Sequence, residues 1–107
     1  MQLKKVKIKG GGKQTLFNIH CGHCDELVFV YLKIGKGNSI LRAYLSRILA
    51  PASLSSLIDD PAIKRPQDIP NLTCPNCNAV LGTAIKRNDG RFAYRMKQGH
   101  FHRKIRK

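Results

Sequence analysis

Four cysteines are the residues of this 107-residue chain whose types and spacing most directly define a chemistry. Cys21 and Cys24 lie in "NIHCGHCDEL", and Cys74 and Cys77 lie in "TCPNCNAV", so two Cys-x-x-Cys pairs account for every thiol. Two chemistries use that spacing. A dithiol redox centre sits where a strand meets a helix, because the helix N-terminus lowers the pKa of the attacking thiol. Here Cys24 runs into "DELVFVYL", a strand pattern, and the second pair would have no role. A metal knuckle uses the two-residue spacer to aim both sulfurs at one ion while backbone N–H groups hydrogen-bond them. Asp25 and Asn78 follow the second cysteine of each pair, where such turns need a positive φ, and Asp and Asn tolerate it better than most residues. Pro75 pre-sets the second turn. The reading is one structural Zn2+ held by Cys21, Cys24, Cys74 and Cys77. An iron–sulfur or other metal, and a redox pair, are the alternatives.

Four thiolates close a tetrahedral zinc, leaving no position at which to activate water. No fifth cysteine is left as a nucleophile. There is no Ser/His/Asp motif, no phosphate-binding glycine loop and no convincing pair of catalytic carboxylates. Asp59 and Asp60 lie in a proline-rich connector and read as caps. The expectation is a protein that is not an enzyme, with no catalytic residues. His20 and His23 flank the first pair and read as neighbours of the metal rather than ligands. His100 and His102 alternate with Phe101 and share a face with Lys104 and Arg106, so they read as part of a basic surface.

That surface follows from the net charge of +14, built from 20 Lys/Arg against 6 Asp/Glu. The excess is at the ends. Residues 1–24 carry Lys4, Lys5, Lys7, Lys9 and Lys13 with no acid, and residues 86–107 carry nine Lys/Arg against Asp89 alone. Segregated positive charge is the footprint of a polyanion binder. The expected phosphate contacts are Lys5, Lys7, Lys9, Arg91, Arg95, Lys97, Arg103, Lys104, Arg106 and Lys107, with Tyr94 and Phe101 as aromatics able to stack on bases, although core packing suits both better. The expected partner is RNA, free or in a ribosome. DNA is a second polyanion of the same charge, although no recognition helix is identifiable. The expected state is a monomer when free. A protein-interaction adaptor is the competing reading, but an adaptor needs no such charge.

The elements that must position these residues read as mainly β. "KKVKIK" alternates with Lys5, Lys7 and Lys9 on one face, Gly10–Gly12 break it, and "KQTLFNIH" resumes the alternation, which predicts a hairpin. "ELVFVYLKI" predicts a buried strand. "SILRAYLSRILA" repeats apolar residues at Ile40, Leu41, Tyr44, Leu45, Ile48 and Leu49, one face of a helix capped by Asn38 or Ser39. Residues 51–72 hold four of the five prolines and read as a connector with a helical turn at most. "AVLGTAIKR", "RFAYRMK" and "GHFHRKIRK" predict three more strands, with a hairpin turn at Asn88-Asp89-Gly90. The length fits one domain over 1–107. With no apolar leader, and a longest apolar run of Leu27–Leu32 against the ~20 residues a membrane span needs, a cytoplasmic protein without membrane contact is expected.

"RAYL" at 42–45, "CPNCNAVLG" at 74–82 and "YRMKQGHF" at 94–101 resemble Yippee-like proteins, and the arrangement of two distant knuckles is similar to the β-tent zinc fold those proteins share with class B methionine sulfoxide reductases. The resemblance implies two antiparallel sheets pinned at one end by zinc, with "RAYL" in a strand. It competes with the short helix read over 39–50. Thr83 and Ala84 depart from the family, which tends to an aromatic there. Reductase activity is not implied, because the cysteine that performs it lies outside the zinc set.

Overall fold

The computed structural model describes residues 3–4, 14–35 and 40–106. The first predicted strand with Lys5, Lys7 and Lys9, the glycine turn, the caps Asn38 and Ser39, and Lys107 lie outside them. Alternation in "QTLFNIHC" buries Phe17, Ile19 and Cys21 and makes strand β1 (Gln14–Cys21). β2 (Leu27–Ile34) is buried from Val28 to Leu32 and occupies an inner position between β1 and β4 (Ile48–Ala50). β8 (Phe101–Ile105) pairs with the free side of β1, so one sheet runs β4-β2-β1-β8. The second sheet runs β3-β7-β6-β5, with β3 (Arg42–Tyr44), β7 (Phe92–Met96), β6 (Val80–Lys86) and β5 (Leu72–Thr73). Every neighbouring pair is antiparallel. The fold is mainly β, two antiparallel sheets as read from the sequence.

The core lies between the sheets. Phe17, Ile19, Phe29 and Tyr31 from the first meet Ala43, Leu72, Leu81, Tyr94 and Met96 from the second in one buried cluster. Each large side chain buried there is worth roughly 1.5–3 kcal/mol. Polar tips inside it are satisfied across elements. The Tyr44 N–H donates to Tyr31 Oη at 3.0 Å, tying β2 of one sheet to the end of β3 in the other. Tyr94 Oη donates to the Pro70 carbonyl at 2.8 Å.

The helix read over 39–50 is not formed. β3, a single 3-10 turn at Leu45–Arg47 and β4 take its place. Twelve residues of average propensity make a marginal helix, whereas β3 pairs with β7 and β4 with β2. The segment thereby crosses from one sheet to the other and buries Ile40, Ala43, Leu45, Ile48 and Leu49. Leu41, placed on the apolar face of the supposed helix, is 55% exposed.

The connector holds the helical turn expected of it, α1 (Ala52–Ser55), and 3-10 turns at Leu57–Asp59 and Pro66–Asp68. Asp60 caps by accepting the Ala62 N–H at 2.9 Å, whereas Asp59 pairs with Lys4 at 2.9 Å. Asp68 accepts the N–H groups of Lys64 and Arg65 at 3.1 and 3.0 Å. Among the described residues no helix is long and apolar enough to cross a membrane.

Candidate metal centre and basic face

Each Cys-x-x-Cys pair is the turn of a hairpin, one in each sheet. Cys21 ends β1 and the chain returns as β2, while Cys74 follows β5 and the chain returns as β6. The two turns are built alike. The Asp25 N–H donates to the Cys21 carbonyl at 2.9 Å, and the Asn78 N–H to the Cys74 carbonyl at 2.9 Å. The Cys21 N–H reaches the Glu26 carbonyl at 2.8 Å, and the Cys74 N–H the Ala79 carbonyl at 2.9 Å. The His23 and Asn76 N–H groups point at the sulfurs of Cys21 and Cys74, at 3.3 and 3.4 Å. Asp25 and Asn78 close the turns at φ 64° and 63°, the left-handed conformation expected of them.

The two turns face each other across the end of the sandwich. Cys21 and Cys77 sulfurs are 3.6 Å apart, Cys24 and Cys74 sulfurs 3.5 Å, and all four lie within 4.8 Å of one another. Tetrahedral thiolate coordination at ~2.3 Å per bond requires sulfur edges of about 3.8 Å. The cysteines therefore fit a structural metal ion that joins one sheet to the other. Without a cation, four thiols so close cannot all ionise. Hydrogen bonds from Asn76 and the Glu26 backbone draw the Cys24 thiol down to about 7. For Cys77 the Ala79 backbone hydrogen bond favours the thiolate, but desolvation and the other three cysteines outweigh it and push the thiol up to about 12. A divalent cation removes that conflict by displacing the protons.

β8 is pressed against the first turn. The Gly22 N–H donates to the His100 carbonyl at 2.8 Å, and a Cβ on Gly22 would stand 2.8 Å from both the carbonyl carbon and oxygen of His100. Only glycine fits. This contact brings all four histidines to the same knuckle. His23 Nε2 lies 3.0 Å from His100 Nδ1, and His102 Nε2 lies 2.7 Å from Asp25 Oδ1. His100 and His102 thus belong to the surroundings of the metal centre as well as to a basic surface. Sequence spacing links His20 and His23 to the first pair, but only strand pairing brings in the other two.

The residues read as phosphate contacts divide between two places. Arg103, Lys104 and Arg106 belong to β8 and its end, with Arg106 donating to Asn18 Oδ1 at 2.9 Å. Arg91, Arg95 and Lys97 belong to the other sheet, on and beside β7. The Lys4 N–H donates to the Leu49 carbonyl on β4, the strand at the opposite edge of the sheet from β8. Lys4 therefore does not adjoin the basic C-terminal strand, although the first described strand, β1, does pair with it. Tyr94 is fully buried, and that burial pushes its phenol up to about 12, so it offers no stacking face. Phe101 packs against the core.

Sequence reasoning passed over Arg42, Arg47 and Tyr44. Arg42 and Arg95 are direct partners across β3 and β7. Tyr44 is flanked by the guanidinium groups of Arg91 at 4.2 Å and Arg47 at 5.1 Å from its ring centre. Among the described residues Arg42, Arg47 and Arg95 have no carboxylate partner, whereas Arg91 pairs with Asp89 at 2.7 Å. The signal in the sequence was the alternation of Arg42 and Tyr44, masked by the helical periodicity around them.

Comparison of the chain with protein-family models, with curated proteins and with solved structures finds no match.

Proposed function

We propose that the protein is a non-enzymatic, zinc-stapled RNA-binding protein of the cytoplasm, its partner an RNA free or within a ribosome. Zinc is favoured because four clustered thiolates with backbone N–H donors to sulfur suit its tetrahedral preference. The resemblance to the β-tent fold of Yippee-like proteins supports the same ion, in a closed site without water chemistry.

The observation that carries the RNA reading is the Arg42–Arg95 pair. Like charges directly opposite on neighbouring strands are destabilising, and no carboxylate relieves these two among the described residues. An anion bridging them would. A phosphodiester supplies that anion, and Tyr44 between Arg47 and Arg91 supplies an aromatic edge beside it. Arg103 and Lys104, on the charged edge strand β8, would extend the contact to a second stretch of backbone.

The test is the salt dependence of RNA affinity. Each neutralised phosphate contributes about −0.7 to the slope of log affinity against log salt for single strands. Because one phosphate bridges the two arginines, R42Q with R95Q should flatten the slope by about 0.7 and weaken all sequences alike. Absence of salt-sensitive RNA binding at physiological ionic strength sinks the reading. A second reading, a protein-interaction adaptor, is favoured by a mostly apolar cleft of about 300 Å³ lined by Val28, Pro51, Leu54, Pro70 and Pro75. It takes precedence if RNA binding is absent and substitutions in that cleft release a bound protein.

A further inference from the structure

His20 and His102 are direct partners on β1 and β8. Their rings stack in parallel, with centres 5.4 Å apart and planes within 1°. Asp25 reaches over the pair from the end of the first knuckle. Its Oδ1 lies 2.7 Å from His102 Nε2 and 3.9 Å from His20 Nδ1, and its carbonyl oxygen lies 3.0 Å from the same His20 nitrogen. Donor atoms of the three side chains all fall within 4.8 Å of one another. None of the three is a ligand of the thiolate centre.

Two imidazoles and one carboxylate form a donor set suited to late first-row divalent cations. Bonds of about 2.1 Å give separations of about 3.0 Å between adjacent donors and about 4.2 Å between opposite ones. The observed 3.0 and 3.9 Å fall within that range, and the 2.7 Å between Asp25 Oδ1 and His102 Nε2 lies 0.3 Å below it. The backbone that carries the donors is held in place independently of any ion. The Asp25 N–H bonds the Cys21 carbonyl, and the β1–β8 register sets His20 opposite His102. The side chains are 16%, 66% and 42% exposed for His20, Asp25 and His102, so a cation can enter and keep open positions.

We propose that His20, Asp25 and His102 form a second, open metal site for a borderline divalent cation such as Ni2+, Cu2+ or Zn2+, with the Asp25 carbonyl as a further oxygen donor. His20 binds through Nδ1 with its proton on Nε2, and His102 binds through Nε2 with its proton on Nδ1. Any proton that either nitrogen holds beforehand passes to solvent. The remaining positions take water or an anionic ligand. Lys104, two residues along the same face, and Arg106 beyond it oppose the cation and hold its affinity below that of the thiolate centre. Among the described residues His23 and His100 pair with no carboxylate, and they serve as an internal control.

The experiment uses the full chain already loaded with one equivalent of zinc, titrated with Ni2+ by calorimetry, with metal per chain counted after desalting. The expected result is a second equivalent bound by the wild type. H102Q and D25N should weaken it by more than the roughly 10–100-fold that loss of an outer hydrogen-bond partner costs, while H100Q leaves it unchanged. Asn at position 25 keeps the left-handed turn. A single equivalent in the wild type overturns the proposal. So does a second equivalent indifferent to H102Q and D25N, or one as sensitive to H100Q as to H102Q. Paramagnetic broadening in the wild-type chain needs no variant to fold. Substoichiometric Ni2+ should broaden the imidazole resonances of His20 and His102 first, and broadening of His23 and His100 first overturns the assignment.

Discussion

Cys21 Sγ lies 3.6 Å from Cys77 Sγ although the two thiols are 56 residues apart and belong to hairpins of different sheets. A metal ion held by the four cysteines would therefore bridge the sandwich at one end, where the chain itself makes no turn between those strands. Its removal should release both hairpins at once. Chelation is expected to abolish cooperative unfolding, because structural zinc contributes ~10–16 kcal/mol in zinc-finger peptides, as much as a small domain's whole stability. C21S and C74S should be equally damaging, whereas H23A should keep one thiolate-held metal per chain. A cooperative thermal transition in the chelated protein would refute this.

Metal affinity at the cysteines should rise with pH. Without metal, hydrogen bonds draw the Cys24 thiol down to about 7, while desolvation and the neighbouring cysteines push the Cys77 thiol up to about 12. At neutral pH the metal must therefore displace protons, and each step up in pH leaves fewer to displace. Competition with a chromophoric chelator between about pH 6 and pH 8 reads this directly, together with proton release on loading. An affinity that is flat across that interval would count against four-thiolate coordination.

Tyr94 should impose an alkaline limit on stability. Its buried phenol is raised from 10.0 to about 12, so it stays neutral in the folded state while the unfolded chain ionises. Stability from this group is fully present below pH 10 and lost as pH rises through about 12. Denaturant midpoints should therefore fall across that window. Y94F should shrink the fall, at a neutral-pH cost of about 0.5–1.5 kcal/mol for the lost bond to the Pro70 carbonyl. An unchanged alkaline profile in Y94F would assign the loss to other groups.

Gly22→Ala should destabilise the joint between the first knuckle and β8. The added methyl would stand 2.8 Å from the His100 backbone, which has no flexible end to move aside. Overpacking of this kind costs typically about 1–3 kcal/mol. Hydrogen exchange should quicken at His100–Arg103 more than in β6 and β7. Uniform exchange changes across both sheets would show that the strain is not local.

The two basic faces should be separable. R42Q with R95Q removes charge from the β3–β7 surface, and R103Q with K104Q removes it from β8, in the other sheet. If RNA spans both, R42Q with R95Q should reduce the salt slope by about 0.7 and R103Q with K104Q by about 1.4, at unchanged metal content, and the combination should be additive. A slope altered by only one pair would confine the contact to that sheet.

Sequence alone determined the features whose physics is local. The two-residue spacing of Cys21/Cys24 and Cys74/Cys77 is what a knuckle needs, and Asp25 and Asn78 take the positive φ that their short polar side chains tolerate. Period-two burial in Phe17 and Ile19, and the turn at Asn88–Gly90 with Gly90 at φ 87°, were legible for the same reason. Tertiary structure decided what depends on strands meeting. The stretch 42–50 has a helical period, yet ladder partners on β7 and β2 draw it into strands. Tyr94 sits in a basic alternating strand, yet its register turns it into the core. His20 and His102 are 82 positions apart, and Arg42 and Arg95 are 53 apart, so neither pair exists until a register places them opposite each other. Register is a property of two strands and their shared core, and one strand's composition does not contain it.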